Sequence, residues 1–173
     1  MAVVIPYIVL VLAVGIERLV ELAVSKRHAD WAFARGAVEY GRSHYPAMAV
    51  IHTALLVACV VEVLVADRPF LPWLGVPMFV LVLLTQALRW WCVATLGKQW
   101  NVRVIVVPNL ELVRSGPYRW LRHPNYLAVT VEVAALPLVH GAWVTAIVFS
   151  VANAVLLLRF RIPVEERALA AAR

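Results

Sequence analysis

The chain has 173 residues, 64% of them hydrophobic, and a formal net charge of +6 from 16 Lys and Arg against 10 Asp and Glu. Soluble domains run at roughly 45–50% apolar, so this composition excludes a water-soluble surface and leaves no length for a separate soluble domain. Excess basic charge in a soluble protein would suggest a nucleic-acid partner; here it is confined to short segments between apolar runs, as membrane orientation requires, and no nucleic acid is expected.

A membrane-crossing helix needs about 20 mostly apolar residues, and the sequence predicts five. The first runs from about Ala2 to Val24. It lacks a basic leader and carries Glu17, Arg18 and Glu21 near its end, which favours a retained helix over a cleaved signal. The second runs from about Ala47 to Ala66 and the third from about Phe70 to Leu96. Cys59 and Cys92 lie inside these runs and form no CxxC pair, so they are expected to be small buried thiols, with no metal site. Gly97 to Asn125 is the longest polar stretch, and long ordered loops often carry function. Within it Val102 to Val107 is predicted to be extended and Ser115-Gly116-Pro117 to be a turn.

The fourth and fifth helices share the apolar stretch Tyr126 to Phe160, with a hairpin tip at Pro137 to Gly141. Pro163 suits a first helical position and not a helix interior. Helix five is therefore expected to end near Ile162, with a short helix beginning at Pro163 and Glu165 and Glu166 in its first turn. The expected fold class is an all-α integral membrane protein of about five transmembrane helices. It forms one domain over 1–173: three N-terminal helices through 95, then a catalytic loop, helical hairpin and C-terminal segment over 96–173.

Basic residues set the orientation. Lys26, Arg27, Arg35 and Arg42 fall between helices one and two; Lys98, Arg103, Arg114, Arg119 and Arg122 between three and four; Arg159, Arg161, Arg167 and Arg173 after five. An outside N-terminus puts all three groups on one face, leaving Arg68 opposite, so the crowded face and the C-terminus are expected to be cytoplasmic in a bacterial plasma membrane. Arg18 and Arg89 are expected to snorkel from the ends of helices one and three.

Two segments of that face carry chemistry. One is Gly116-Pro117-Tyr118-Arg119-Trp120-Leu121-Arg122-His123-Pro124-Asn125-Tyr126, where the loop meets helix four; the other is Arg161-Ile162-Pro163-Val164-Glu165-Glu166-Arg167-Ala168-Leu169, just past helix five. The helical hairpin between them brings both together. Here the sequence resembles the isoprenylcysteine carboxyl methyltransferase family, whose signature is like G-P-Y-x-x-x-R-H-P-x-Y-x-G followed, after a second hairpin, by R-x-x-x-E-E-x-x-L. The matches are Gly116, Pro117, Tyr118, Arg122, His123, Pro124 and Tyr126, then Arg161, Glu165, Glu166 and Leu169. Ala128 stands where the family usually has Gly, and Pro163 argues against a one-turn Arg161–Glu165 pair.

The resemblance implies an S-adenosylmethionine-dependent O-methyltransferase acting on a lipophilic acceptor, with a cytoplasmic cofactor site. It implies cofactor-binding roles for Tyr118, Arg122, His123, Pro124, Tyr126 and Glu166, and substrate-side catalytic roles for Arg161 and Glu165. Position adds Trp100, an aromatic face beside the loop, and Asn153, close enough to the end of helix five to line the cofactor site; Glu165, Glu132 and His123 are the candidate bases for a hydroxyl acceptor. The chemistry agrees: a zwitterionic cofactor with a sulfonium needs cationic, acidic and aromatic groups, an arginine can hold a carboxylate or oxyanion, and a phenolic acceptor, unlike a carboxylate, needs a base. Glu17-Arg18-Leu19-Val20-Glu21-Leu22, Gly36-Ala37-Val38-Glu39 and His44-Tyr45-Pro46-Ala47-Met48 look like a bacterial branch that methylates alkylresorcinol or alkylpyrone hydroxyls beside type III polyketide synthases. That likeness favours a long-chain phenol or pyrone over a prenylcysteine-like carboxylate.

Each residue has a plainer reading. His123 can cap a helix, Arg161, Glu165 and Glu166 can be a solvated juxtamembrane cluster, and Glu17, Arg18 and Glu21 an interfacial ion cluster at i, i+3 and i, i+4 spacing. Glu132, two turns into helix four, is too deep to snorkel and is expected at the substrate or cofactor cavity. Glu62 reads as interfacial, Gln86 and Asn153 as helix–helix contacts, His52 as packing, and most tryptophans as interfacial belt. Two other functions compete: a sterol-reductase-like enzyme using a reduced nicotinamide, and a small transporter or scaffold. The short chain and its Glu165-Glu166 ending disfavour the first, and the clustering of polar signatures at one rim the second.

Overall fold

A computed structural model describes residues 3–171; Ala2 and Arg173, at the two ends of the expected layout, lie outside them. The helices are α1 (Val4–Phe33), α2 (Tyr45–Val65), α3 (Pro72–Leu96), α4 (Pro124–Leu138), α5 (Trp143–Leu156) and α6 (Ile162–Ala171); two short strands are β1 (Val38–Tyr40) and β2 (Val104–Val106). Among the described residues, three stretches are long and apolar enough to cross a membrane: Arg42–Val65, Pro72–Gln99 and Trp143–Ala171. The other two expected spans differ. α1 has the length, but Glu17, Arg18 and Glu21 interrupt its apolar run, and α4 has only 15 residues.

The apolar core lies toward the hairpin end of the bundle. Tyr7, Val11 and Val14 of α1, Leu55, Cys59 and Val63 of α2, Val82 of α3, and Val133 and Leu136 of α4 are all buried there. The hairpin tip forms in the expected segment, with Gly141 at φ 69°. It packs tightly on the start of α3: a Cβ at Gly75 would stand 2.6 Å from the Val139 carbonyl oxygen and 2.4 Å from the Phe70 ring. Glu62 does more than sit at an interface. Its carboxylate accepts from the backbone N–H of Val144 and Thr145 at 3.3 and 2.7 Å and pairs with Arg68 at 3.0 Å, so it caps the α5 N-terminus, where negative charge is favoured.

Three features depart from the sequence expectation. First, α1 continues well past Val24, so Lys26 and Arg27 are helical rather than in a loop. The extension buries Ser25, Ala29 and Ala32 and holds the long loop: Ser25 donates to the Asn101 side chain at 2.8 Å, Asn101 donates back to the Ser25 carbonyl at 2.9 Å, and His28 donates to the Trp100 carbonyl at 2.8 Å. Second, the fold is not wholly helical. The extended segment finds a partner in β1, with Val38, Glu39 and Tyr40 antiparallel to Val106, Ile105 and Val104. Third, helix five does not end at Ile162. A π-helical turn over Leu157–Arg161 leads directly into α6. Proline at 163 lacks an N–H and clashes with the preceding turn of a regular helix; the wider turn accommodates it without a break.

Candidate active site

The two signature segments meet where α4 begins and α6 starts. Gly116 opens the turn Gly116–Arg119 at φ 53°, and an added Cβ would meet Thr95 Oγ1 at 2.5 Å and Trp91 Nε1 at 3.1 Å, so only glycine lets this turn close on the end of α3. The turn carries Tyr118, whose hydroxyl is held in its neutral form by burial. Pro124 occupies the first helical position of α4, and its ring is buried. Tyr126 then points at α6 and donates its hydroxyl to Glu165. His123 stacks on Tyr126 with ring centroids 5.4 Å apart and lies between two carboxylates, Glu165 at 3.4 Å from Nδ1 and Glu166 at 3.4 Å from Nε2. Arg161 is buried but makes no pair with Glu165; it donates to the Val102 carbonyl at 2.8 Å, tying the π-helical turn to the loop.

The hydrogen bond that His123 donates to Glu165 and the nearby negative charge raise the His123 pKa above its ordinary value of about 6.5. A raised folded-state value means that His123 contributes stability fully below the unfolded pKa and loses it as pH rises through the folded one. The melting temperature of the detergent-solubilised protein is therefore expected to fall as pH is raised from 6 toward 8, and His123→Gln to flatten that step. An unchanged step in the variant would assign it to another group.

Two chambers share this corner. One, of about 770 Å³, is mainly apolar and runs between α1 and α2; Leu12, Ile16, Leu19, Val57 and Val61 line it and are exposed on the flank of the bundle. The other, of about 1000 Å³, is more polar and is lined by the loop around β2 with Lys98, Arg103, Arg119 and Glu166. Leu96, Asn101, Tyr118, Arg122, His123 and Glu165 line both. Trp100, Tyr126 and Arg161 line the apolar one. Around its polar end, Trp100 Nε1, Asn125 Oδ1 and Arg161 Nε are buried without a partner among the described residues.

Not every expected site residue reaches this corner. Pro124 lines neither chamber and serves as a helix start. Asn153 is fully buried in α5 and lines neither chamber. Glu132, 3% exposed, stands behind the apolar wall: it accepts from Arg18 at 2.6 and 2.8 Å and from Arg89 at 2.8 Å. Arg18 also pairs with Glu21, Arg89 stands 3.5 Å from Glu21, and Gln86 donates to Glu17. A carboxylate shared by two guanidiniums is a poor base, so Glu132 is the hub of an ion cluster. Arg89, 4% exposed, is committed to that hub and does not snorkel. Asn101 and Asn125 are lining residues that the sequence did not single out, although Asn125 had a signal, its place inside the first signature; Arg89 lines the apolar chamber where the sequence reads it as snorkelling.

The family model described as "Isoprenylcysteine carboxyl methyltransferase (ICMT) family" matches residues 78–171, more than half of the chain. The chain is 39% identical over 155 residues to the uncharacterized protein YpbQ of Bacillus subtilis (strain 168), covering 89% of this chain and 90% of that one. It is 28% identical over 153 residues to an uncharacterized protein of Haemophilus influenzae, covering 88% of each. No solved structure matches.

Proposed function

Because the chain belongs to the isoprenylcysteine carboxyl methyltransferase family of membrane methyltransferases, we propose that it moves a methyl group from S-adenosylmethionine to an oxygen of a lipophilic acceptor. The observation that carries this reading is the pair of chambers, one apolar and one polar, that share a wall built from both signatures. An amphipathic acceptor entering between α1 and α2 brings its polar end to the wall that a cofactor entering through the polar loop also reaches.

The residues suit the cofactor. S-adenosylmethionine supplies the methyl group as an electrophilic sulfonium. Trp100, Tyr118 and Tyr126 offer aromatic faces for a cation. Arg122, exposed and at the junction, suits a carboxylate, and Glu165 and Glu166 suit an amino group. The unpartnered Trp100 Nε1, Asn125 Oδ1 and Arg161 Nε call for a molecule with both donors and acceptors, because buried polar atoms left unmatched are costly. Arg161 lines the acceptor side and is suited to an oxyanion. Tyr126 and His123 hold the Glu165 carboxyl below the usual carboxylate range, so the His123–Glu165 pair together is suited to receive the proton that a hydroxyl acceptor releases, the imidazole taking it and Glu165 balancing its charge. Catalysis is then mostly positioning of acceptor oxygen, methyl carbon and sulfur in line.

The presence of a proton acceptor favours a long-chain phenol or pyrone, with a prenylcysteine-like carboxylate as the other outcome of an acceptor screen. The basic face and C-terminus are cytoplasmic in this reading, the N-terminus outside, and a type III polyketide synthase is the functional neighbour that would supply such an acceptor. Calorimetric titration of the solubilised protein with S-adenosylhomocysteine tests the site. Micromolar binding is expected, weakened about tenfold or more in His123→Ala and Glu165→Ala, the scale of one lost charged hydrogen bond. A folded wild-type protein that binds none sinks the reading.

A further inference from the structure

The ion cluster borders the same apolar chamber that the catalytic corner opens into: Arg18, Glu21 and Arg89, with His52, line it. We propose that it forms a second anchor of the chamber, holding a hydroxyl group carried on the body of the acceptor, away from the oxygen that is methylated. Six residues of α4 separate Tyr126, at the reacting end, from Glu132, the hub of the cluster, an axial rise of about 9 Å. The inference rests on reading this chamber as the acceptor's.

Hydrogen-bond accounting selects the ligand chemistry. Three carboxylates, Glu17, Glu21 and Glu132, face two guanidiniums, Arg18 and Arg89. Of the unmatched atoms, Glu21 Oε1 and Arg89 Nε belong to residues that line the chamber, one acceptor and one donor; Glu17 Oε1 and Gln86 Oε1, also unmatched among the described residues, lie behind them and line no chamber. Glu21 Oε1 and Arg89 Nε stand 3.5 Å apart without bonding. His52 adds another acceptor: a carbonyl can only accept, so the 2.8 Å contact with Met48 fixes the proton on Nδ1 and leaves a lone pair on Nε2 at the chamber.

A hydroxyl fits this set, since it donates to a carboxylate or to His52 and accepts from Arg89 in turn. A second carboxylate would be repelled, and an ammonium has no lone pair for Arg89. In an apolar surrounding such unmatched groups are costly, so an ordinary lipid tail gains nothing from passing them, whereas a tail bearing a hydroxyl does. The cluster thus sorts acceptors by their middle, while Arg161 and Glu165 handle the reacting end.

The test compares 4-(3-hydroxypentadecyl)phenol with 4-pentadecylphenol, which differ by one hydroxyl, by titration into the solubilised full-length protein. The hydroxylated phenol is expected to bind about tenfold more tightly to the wild type, the worth of one good hydrogen bond in an apolar site. His52→Leu is expected to erase most of that preference and His52→Gln, which returns an acceptor, to restore part of it. Among the described residues His52 hydrogen-bonds only to Met48, one turn earlier in its own helix, so these variants cut no tie between helices. Equal binding of the two phenols, or a preference that survives His52→Leu, overturns the inference. S-adenosylhomocysteine titration of the same samples separates the two levels. If it binds while the phenols bind alike, only the second anchor fails. If it does not bind and neither phenol does, the underlying reading fails and the anchor with it.

Discussion

Glu132→Ala is expected to destabilise the protein by about 3–5 kcal/mol, the cost of removing one partner from a buried ion pair. Glu132 is 3% exposed and Arg89 4%, and both Arg18 and Arg89 direct guanidinium N–H groups at its carboxylate. Without it, Arg89 keeps only the longer approach to Glu21 at 3.5 Å, and a buried cation is left with a single loose partner. The loss also unties α1 and α3 from α4, because the cluster is the polar link among the three. Glu132→Gln, which keeps the shape and one acceptor oxygen, should cost less than the alanine. Thermal unfolding in one detergent at fixed pH reads the order wild type, glutamine, alanine. A Glu132→Ala protein as stable as the wild type, but inactive, would return Glu132 to the list of catalytic bases.

Arg161→Ala is expected to lower methyl transfer by about 10–10²-fold, the effect of deleting one charged hydrogen bond that holds the acceptor oxygen in position. Its side chain is buried at the apolar chamber, spends one N–H on Val102 and leaves Nε unmatched. Arg161→Lys retains charge but not the planar fork, so it should recover only part of the activity. The assay is transfer of labelled methyl from S-adenosylmethionine to a long-chain phenol, with S-adenosylhomocysteine titration as the control for the cofactor side. If S-adenosylhomocysteine binding falls as far as transfer does, Arg161 holds the cofactor. If transfer is unchanged, Arg161 is only the tether between the π-helical turn and the loop.

The sequence by itself determined the membrane character, the hairpin and the two signature segments. Apolar runs of fixed length, proline and glycine at the hairpin tip, and local spacing are all written in contiguous residues. It also located Tyr126, His123 and Glu165, because the hairpin between the two segments leaves them few places to meet. The conformation of Pro163 was legible only in part. The sequence says that a regular helix cannot run through it, and packing decided that a π-helical turn, not a break, resolves the conflict.

What only the tertiary structure decided concerns partners distant in the chain. Glu132 reads as a lone intramembrane acid until Arg18 and Arg89, from two other helices, are seen on its carboxylate. Arg89 reads as a snorkelling residue for the same reason. β1 has too few residues to announce itself and exists because β2 pairs with it. The extension of α1 past Val24 is stabilised by Asn101 and Trp100, about seventy residues away in sequence. Periodicity and propensity act over a few residues, whereas charge pairing and strand pairing are satisfied by whatever the fold brings within about 3 Å, and no local pattern records that.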